Sequence, residues 1–332
     1  MSTRFPRRAA GTALGLAATL VLAACSSSAS TGDTTTGKAG DTVTTTDGIK
    51  INLTADQNRT TTAKVDSIAA LVPAAIRKRG TLEVVESTGS APPLGFYATD
   101  NTTIIGVEPD IASLVADVLG LKVHYNAVEW AQIFVGLDSG KYDVGFSNIT
   151  DTEERKEKYD FATYRLDNLA FEAKKGTSWK VTGPKDVAGR TIAVDSGTNQ
   201  EKLLVEWSKE DVKNGLKAVD IKYYHTTSDT YLALSSGRID AWLGPNPSAA
   251  YHVATAGQSQ IIGTYSGAGA TLQGKIAATT KKDNGLVKAL NEALNAVIKN
   301  GTYGQALKRW GLSNEAVTTS EINPPGLPKT NS

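Results

Sequence analysis

The chain has 332 residues, 40% hydrophobic and 21% charged, which excludes a wholly disordered, collagen-like or polytopic membrane protein and leaves room for two domains. Lys plus Arg number 35 against 34 acidic residues, so no bulk charge directs the chain to nucleic acid. The single cysteine, Cys25, excludes an internal disulfide framework and a cysteine-rich zinc site.

Residues 1–8 are basic, and 9–22 form an apolar stretch of 14 residues, followed by the small residues Ala23 and Ala24. A stretch that short does not span ~30 Å of hydrocarbon as a permanent helix, so residues 1–24 read as a secretory signal. The run Leu22-Ala23-Ala24-Cys25 resembles the bacterial lipobox, whose cysteine takes up a diacylglycerol and becomes the new N-terminus. The expectation is a lipoprotein anchored through Cys25 on the outer face of a bacterial cell membrane; simple secretion is the alternative. Without the signal the chain carries 32 bases and 34 acids, a formal charge of −2. Residues 26–48 are almost entirely Ser, Thr, Gly and Asp, which cannot bury enough apolar surface to offset their ordering entropy. Residues 25–64 are therefore expected to be a flexible tether, reaching ~35 Å root-mean-square.

Apolar spacing predicts a helix over 65–78, stopped by Gly80, and a strand over 82–85. A helix over 109–119 follows, with Pro109 near its first turn and Gly120 past its end. Next come a strand over 122–128, a helix over 130–139 and a strand over 143–146. The pattern restarts with strands over 191–194, 219–224 and 239–243, separated by helices over 200–207 and 229–236. Helices over 286–299 and 303–310 close the body. The Pro-containing tail over 316–332 should be flexible. Leu137-Asp-Ser-Gly-Lys-Tyr-Asp143 is echoed by Leu234-Ser-Ser-Gly-Arg-Ile-Asp240, which favours two similar α/β lobes over one large sheet. The cleft between such lobes is the default ligand site.

Several runs occur in a characteristic order: Gly106-Val-Glu-Pro-Asp110, Glu129-Trp130, Asn148-Ile-Thr-Asp-Thr-Glu-Glu-Arg155, Ser196-Gly-Thr-Asn-Gln200, Ser236-Gly-Arg-Ile-Asp240 and Asn300-Gly-Thr-Tyr303. Together they make residues 65–312 resemble the extracellular solute-binding proteins of polar amino-acid ABC importers (family 3). The resemblance implies an α/β, type II periplasmic-binding-protein fold, two lobes joined by two hinge crossings near 167–174 and 267–273. Lobe 1 would be 65–170 plus 270–315, and lobe 2 would be 171–269. The implied function is a monomeric substrate-binding lipoprotein that captures an amino acid or related small carboxylate solute and delivers it to an ABC permease. No cofactor, metal or nucleic acid is called for.

Thr150 and Asp151 are good cap residues for a helical stretch beginning near Thr152, whose free N–H groups favour an anion. Arg155 adds a bidentate partner for a carboxylate, unless it is one more solvated member of the charged run 153–158. By the resemblance, Thr150 and Arg155 hold the ligand α-carboxylate, with Asn148 beside them. Thr198, Asn199 and Gln200 close on it from the other lobe, and Trp130 stacks on the ligand's aliphatic part. Without the family, 196–200 reads as ordinary turn chemistry and Trp130 as core.

The departures matter as much. Thr88, Ala91 and Pro245 stand where the family usually has two carboxylates and an aromatic, so a ligand ammonium lacks its usual acceptors. Asp195, Asn246 and Glu86 are the substitutes within reach, and recognition of the α-amine is expected to be weak. Two other functions stay open: a cyclohexadienyl-dehydratase-like enzyme on the same fold, and a ligand-sensing partner of a signalling receptor. The three histidines, His124, His225 and His252, are dispersed and make no catalytic spacing.

Overall fold

The computed structural model describes residues 40–45, 48–87, 91–224 and 226–329. The signal segment, Cys25, Thr88 and His225 lie outside the described residues. Among the described residues, no helix is long and apolar enough to cross a membrane.

An antiparallel hairpin of β1 (Thr42–Thr44) and β2 (Lys50–Asn52) comes first. Two short helices follow, α1 (Asp66–Ala69) and α2 (Ala74–Arg79), where the spacing predicts a single one. Pro73, which cannot donate a helical hydrogen bond, separates them. Then come β3 (Thr81–Ser87), a hairpin of β4 (Phe96–Tyr97) and β5 (Ile104–Ile105), α3 (Val107–Leu119), β6 (Lys122–Val128), α4 (Trp130–Ser139) and β7 (Val144–Gly145). Gly120 and Gly140 end α3 and α4 in the left-handed conformation, as the sequence predicts.

The chain continues through β8 (Tyr159–Lys174), β9 (Thr191–Ala193), α5 (Asn199–Lys213), β10 (Asp220–Lys222), α6 (Thr227–Ser236) and β11 (Ala241–Pro245). It closes with α7 (Asn246–Ala256), β12 (Ser259–Ser266), β13 (Gly274–Lys281), α8 (Val287–Asn300) and α9 (Thr302–Arg309).

Among the described residues, eight strands follow the path β10-β9-β11-β8-β13-β7-β3-β6, and β12, the ninth of this sheet, lies off the path and pairs with β8. The long strand β8 belongs to both halves. Residues up to Asp167 pair with β13, and from Asn168 onward they pair with β12. The first crossing therefore lies at the Asp167–Asn168 link, and the second is the segment 267–273 between β12 and β13. This is the α/β, two-lobed type II periplasmic-binding-protein architecture. Lobe 1 is cored by Leu82, Val84, Ile111, Val115, Leu290 and Leu294, and lobe 2 by Phe171, Ile192, Leu204, Trp207 and Leu243. Helix α8 buries Ala289, Leu290, Ala293, Leu294 and Val297, one stripe at helical spacing.

Two expectations about the ends need correction. The tether predicted over 25–64 is packed onto lobe 1 from about residue 49 onward. Ile51 is buried, with Ile49 and Leu53 beside it, because the alternation Ile49-Lys-Ile-Asn-Leu53 gives that strand an apolar face. Farther along, Arg59 pairs with Asp110 at 2.9 Å and Arg309 donates to Gln57. The tail predicted to be flexible over 316–332 is docked as far as residue 329. Isolated bridges join Ile322 to Ala162 and Leu327 to Thr152, and Leu327 is buried.

Candidate functional site

Lobe 1 brings three loops to the cleft. Glu129 precedes α4, so Trp130 stands at the helix start, edge-on to Phe134 with ring centroids 5.3 Å apart. After β7 the chain turns through Asn148, whose φ of 52° is one that asparagine tolerates better than most residues. The Asn148 side-chain oxygen accepts from Arg165, which is buried and also pairs with Glu108 at 2.8 Å and with Glu315. Ser147 Oγ accepts the Ser87 N–H at 2.8 Å.

The next segment differs from the sequence reading. Residues 155–157 form only a 3-10 turn, and neither Thr150 nor Asp151 caps it. Thr152 does that work, its hydroxyl accepting the Arg155 N–H at 3.1 Å. The Thr150 hydroxyl donates instead to the buried carboxylate of Asp167 at 2.8 Å, and Thr150 O accepts Arg155 Nη1 at 3.0 Å. Thr150 thus orients Arg155 through its backbone.

Lobe 2 contributes the β9–α5 turn. Thr198 is the N-cap of α5: its Oγ accepts the Glu201 N–H at 3.2 Å and donates to Asp195 O at 2.6 Å. Asn199 Nδ2 spends both hydrogens, on Asp167 at 3.0 Å and on Gly267 O at 3.0 Å. Asp167, which the sequence reading places at the first crossing but gives no role in the site, therefore ties both lobes to the hinge strand.

Trp130 and Arg155 of lobe 1 meet lobe 2 at one carbonyl. Trp130 Nε1 donates to Gly197 O at 3.3 Å, and Arg155 Nη2 donates to the same oxygen at 3.2 Å. Gly197 has φ +75°, the left-handed region that glycine enters freely, which turns this carbonyl towards lobe 1. The Arg155 guanidinium also lies over the Trp130 and Phe134 rings, at 5.5 and 5.2 Å from their centroids. Lys202 and Glu154 add an inter-lobe ion pair at 3.0 Å.

This contact separates two cavities. The inner one, about 320 Å³, is lined by Trp130, Asn148, Asp195, Thr198, Asn199 and Gln200, six of the residues chosen from sequence. The sequence reading missed Ser87, Ser147, Tyr224, Thr230, Trp242 and Ser248 on the same walls. Arg155 lines the outer cavity, about 590 Å³, with Phe134, Lys158, Glu201 and Lys202. Thr198 and Asn199 border both. Thr150 and Asn246 line neither; Asn246 opens α7. Pro245 faces the inner cavity, and Glu86 is buried in lobe 1, where burial raises its carboxyl well above the usual range.

Charge divides the two spaces. Among the described residues lining the inner cavity, Glu129 and Asp195 are the only acids, and no Lys, Arg or His lines it. Asp195 opens to the cavity, yet the protein packed around it strips enough water to raise its carboxyl. The outer cavity mixes Arg155, Lys158, Lys202 and Lys209 with four glutamates. Desolvation lowers the Arg155 guanidinium to about 10, and it stays charged at neutral pH. Of the described histidines, His124 bonds Glu83 and His252 bonds Glu172, and neither lines the inner or the outer cavity. No cluster of three or more His, Cys, Asp or Glu suited to a metal ion occurs among the described residues.

The model of the bacterial extracellular solute-binding proteins, family 3, matches residues 84–313. The chain belongs to this family. Among its relatives, the L-cystine-binding protein of Escherichia coli (strain K12) is 30% identical over 236 residues, covering 71% of this chain and 84% of the relative. The arginine-binding protein of Corynebacterium glutamicum is 27% identical over 261 residues, covering 78% and 83%. Among solved structures, an ancestral arginine-binding protein bound to arginine aligns with TM-score 0.61 at 30% identity, covering 70% of this chain and 98% of that one.

Proposed function

We propose that the protein is the substrate-binding component of an ABC importer, capturing an amino acid between its lobes and handing it to a membrane permease. The observation that carries the reading is the shared carbonyl of Gly197, met by Trp130 and Arg155 from the opposite lobe. A guanidinium held by one backbone carbonyl of its own lobe and one of the other can exchange the second for a ligand carboxylate. The ligand then touches both lobes and favours the closed state, which is all that capture requires.

In this reading Arg155 takes the α-carboxylate, with Thr198 and Gln200 lining its other side, and Trp130 stacks on the ligand's carbon chain. The sequence leads one to expect weak recognition of the α-amine; in this reading Asp195, which opens to the inner cavity, accepts it instead, in place of the carboxylates that Thr88 and Pro245 replace. Asn148 and Asn199 shape the wall, while Thr150 and Asn246 act from behind it. The relatives' cystine and arginine define the size range to try first. The protein works as a monomer without catalysis or cofactor, held by a lipid on Cys25 at the outer face of the cell membrane.

Calorimetry with the twenty amino acids, L-cystine and the α-deaminated analogue of the tightest binder tests the reading. The expected result is one or a few saturable binders recovered unchanged. Asp195→Asn should reduce the difference between the amino acid and its deaminated analogue to less than about tenfold. Binding of no amino acid, or conversion of the ligand, overturns the proposal.

A further inference from the structure

The family match ends at residue 313, yet the chain beyond it runs along the back of the segment that carries Arg155. Leu327 N–H donates to Asp151 O at 3.3 Å, and Glu153 N–H donates to Leu327 O at 2.9 Å. These two bonds straddle Thr152, whose hydroxyl holds the Arg155 N–H and whose carbonyl accepts the Lys156 N–H at 3.1 Å. Glu153 Oε1 accepts the Gly326 N–H at 2.9 Å, and Lys156 donates to Pro324 O. Upstream, Asn323 bonds Phe161 through both backbone and side chain, and Thr163 N–H donates to Glu321 O at 3.0 Å.

On its other side the same segment is held by β13, Asp151 N–H donating to Lys275 O at 2.9 Å. The Arg155 segment is thus clasped between β13 and the tail. The fit is close: a Cβ at Gly326 would sit 2.4 Å from Asp151 O, so any side chain there displaces one segment or the other. Thr152 lines the outer cavity, and the tail also touches that wall where Lys329 pairs with Glu157, but the tail meets Arg155 through what Thr152 orients.

We propose that residues 321–329 are a positioning strap that sets the Arg155 guanidinium for the ligand carboxylate. Its backbone bonds on either side of Thr152 fix the 3-10 turn that aims Arg155 at the cleft. The strap touches no ligand; its contribution is preorganisation, which keeps the ordering of Arg155 from being charged against binding. The inference rests on the role given to Arg155 above.

The test is a double-mutant cycle on the full chain, read by calorimetry with the tightest-binding amino acid and its α-carboxamide. One variant ends after Ser320, which keeps Glu315 and its pair with Arg165; the second is Gly326→Val. Both should still melt cooperatively and bind about tenfold more weakly, the size of one lost charge-assisted hydrogen bond. Their preference for carboxylate over carboxamide should shrink in proportion. In an Arg155→Ala background neither change should weaken binding further, and a synthetic peptide of residues 321–332 should restore affinity to the shortened chain. Unchanged affinity in both strap variants, with Arg155→Ala weakened, overturns the strap alone. So does a full additive loss in the Arg155→Ala background. Unchanged affinity in Arg155→Ala overturns the ligand role of Arg155, and the strap's role falls with it.

Discussion

Asn199, the first residue of α5 in lobe 2, donates its side-chain amide to the Asp167 carboxylate at 3.0 Å. Asp167 is the last residue of the hinge strand to pair with lobe 1, and its carboxylate also accepts the Thr150 hydroxyl. One buried acceptor therefore fastens the first turn of α5 and the Thr150 loop to the same pivot. Burial raises the Asp167 carboxyl, opposed chiefly by the Thr150 bond and by Arg165. Asn199→Ala removes a buried donor from a charged acceptor, and unfolding in urea should show a loss of about 1.5–3 kcal/mol. A stability within 0.5 kcal/mol of the parent, about the size of an ordinary surface change, would refute the pivot's importance.

Arg155→Ala should weaken amino-acid binding much more than Lys158→Ala. Both residues line the outer cavity, but Arg155 alone reaches Gly197 O and covers Trp130. Loss of a charge-assisted bond is worth ~1.5–3 kcal/mol, a change of about ten- to hundredfold in affinity. Calorimetric titrations that give the two variants equal affinities would return Arg155 to the role of a surface charge.

Asp151 gives a pH dependence with a definite sign. Burial raises its carboxyl from 3.8 to about 6, with Lys156, 3.2 Å away, pulling the other way. The folded chain then holds a proton that the unfolded chain releases. This contribution is fully present below about pH 4 and is lost as pH rises through about 6. The difference amounts to at most about 3 kcal/mol. Urea unfolding at pH 4 and pH 7 should show Asp151→Asn gaining on the parent at the higher pH. An identical pH response in the two proteins would count against it.

Cys25→Ala should move the protein from the membrane fraction to the soluble fraction and leave ligand affinity unchanged. The sequence Leu22-Ala-Ala-Cys25 motivates this prediction. A variant that still sediments with membranes after a salt wash would remove the lipid anchor from the account.

Legibility followed the range of the forces involved. Helices α3 and α4 were readable because each ends at a glycine with φ near +70°, a local requirement. Strand β8 was not, because most of its residues are buried and its charges Arg165, Asp167 and Glu172 sit inside the run. Paired buried charges break the alternation by which a half-exposed strand is recognised. The hinge crossings near 167–174 and 267–273 came from the family resemblance; the interruption of an apolar run by Arg165 and Asp167 is the local sequence signal at the first of them. In the site, Ser196 to Gln200 was readable because a turn and its helix cap are contiguous. Trp242, Ser87 and Ser147 were not, since they meet only when three strands from two lobes converge. The Thr150 hydroxyl was assigned to the ligand because sequence offers no way to see Asp167 standing closer.

The changeover of partners on β8 at a single peptide link also fixes how far different parts of the cleft travel. A strand bonded to neighbours on both sides of Asp167–Asn168 is free to bend at that link, beside the second crossing at 267–273, so opening would be a rotation whose displacement grows with distance from these two crossings. The Asn199 amide is bonded to the pivot itself, at Asp167 and at Gly267 O. The Glu154–Lys202 pair has no bond to the hinge strand. An opening rotation about the pivot would therefore widen the cleft most on the Glu154–Lys202 side and least beside Asp167.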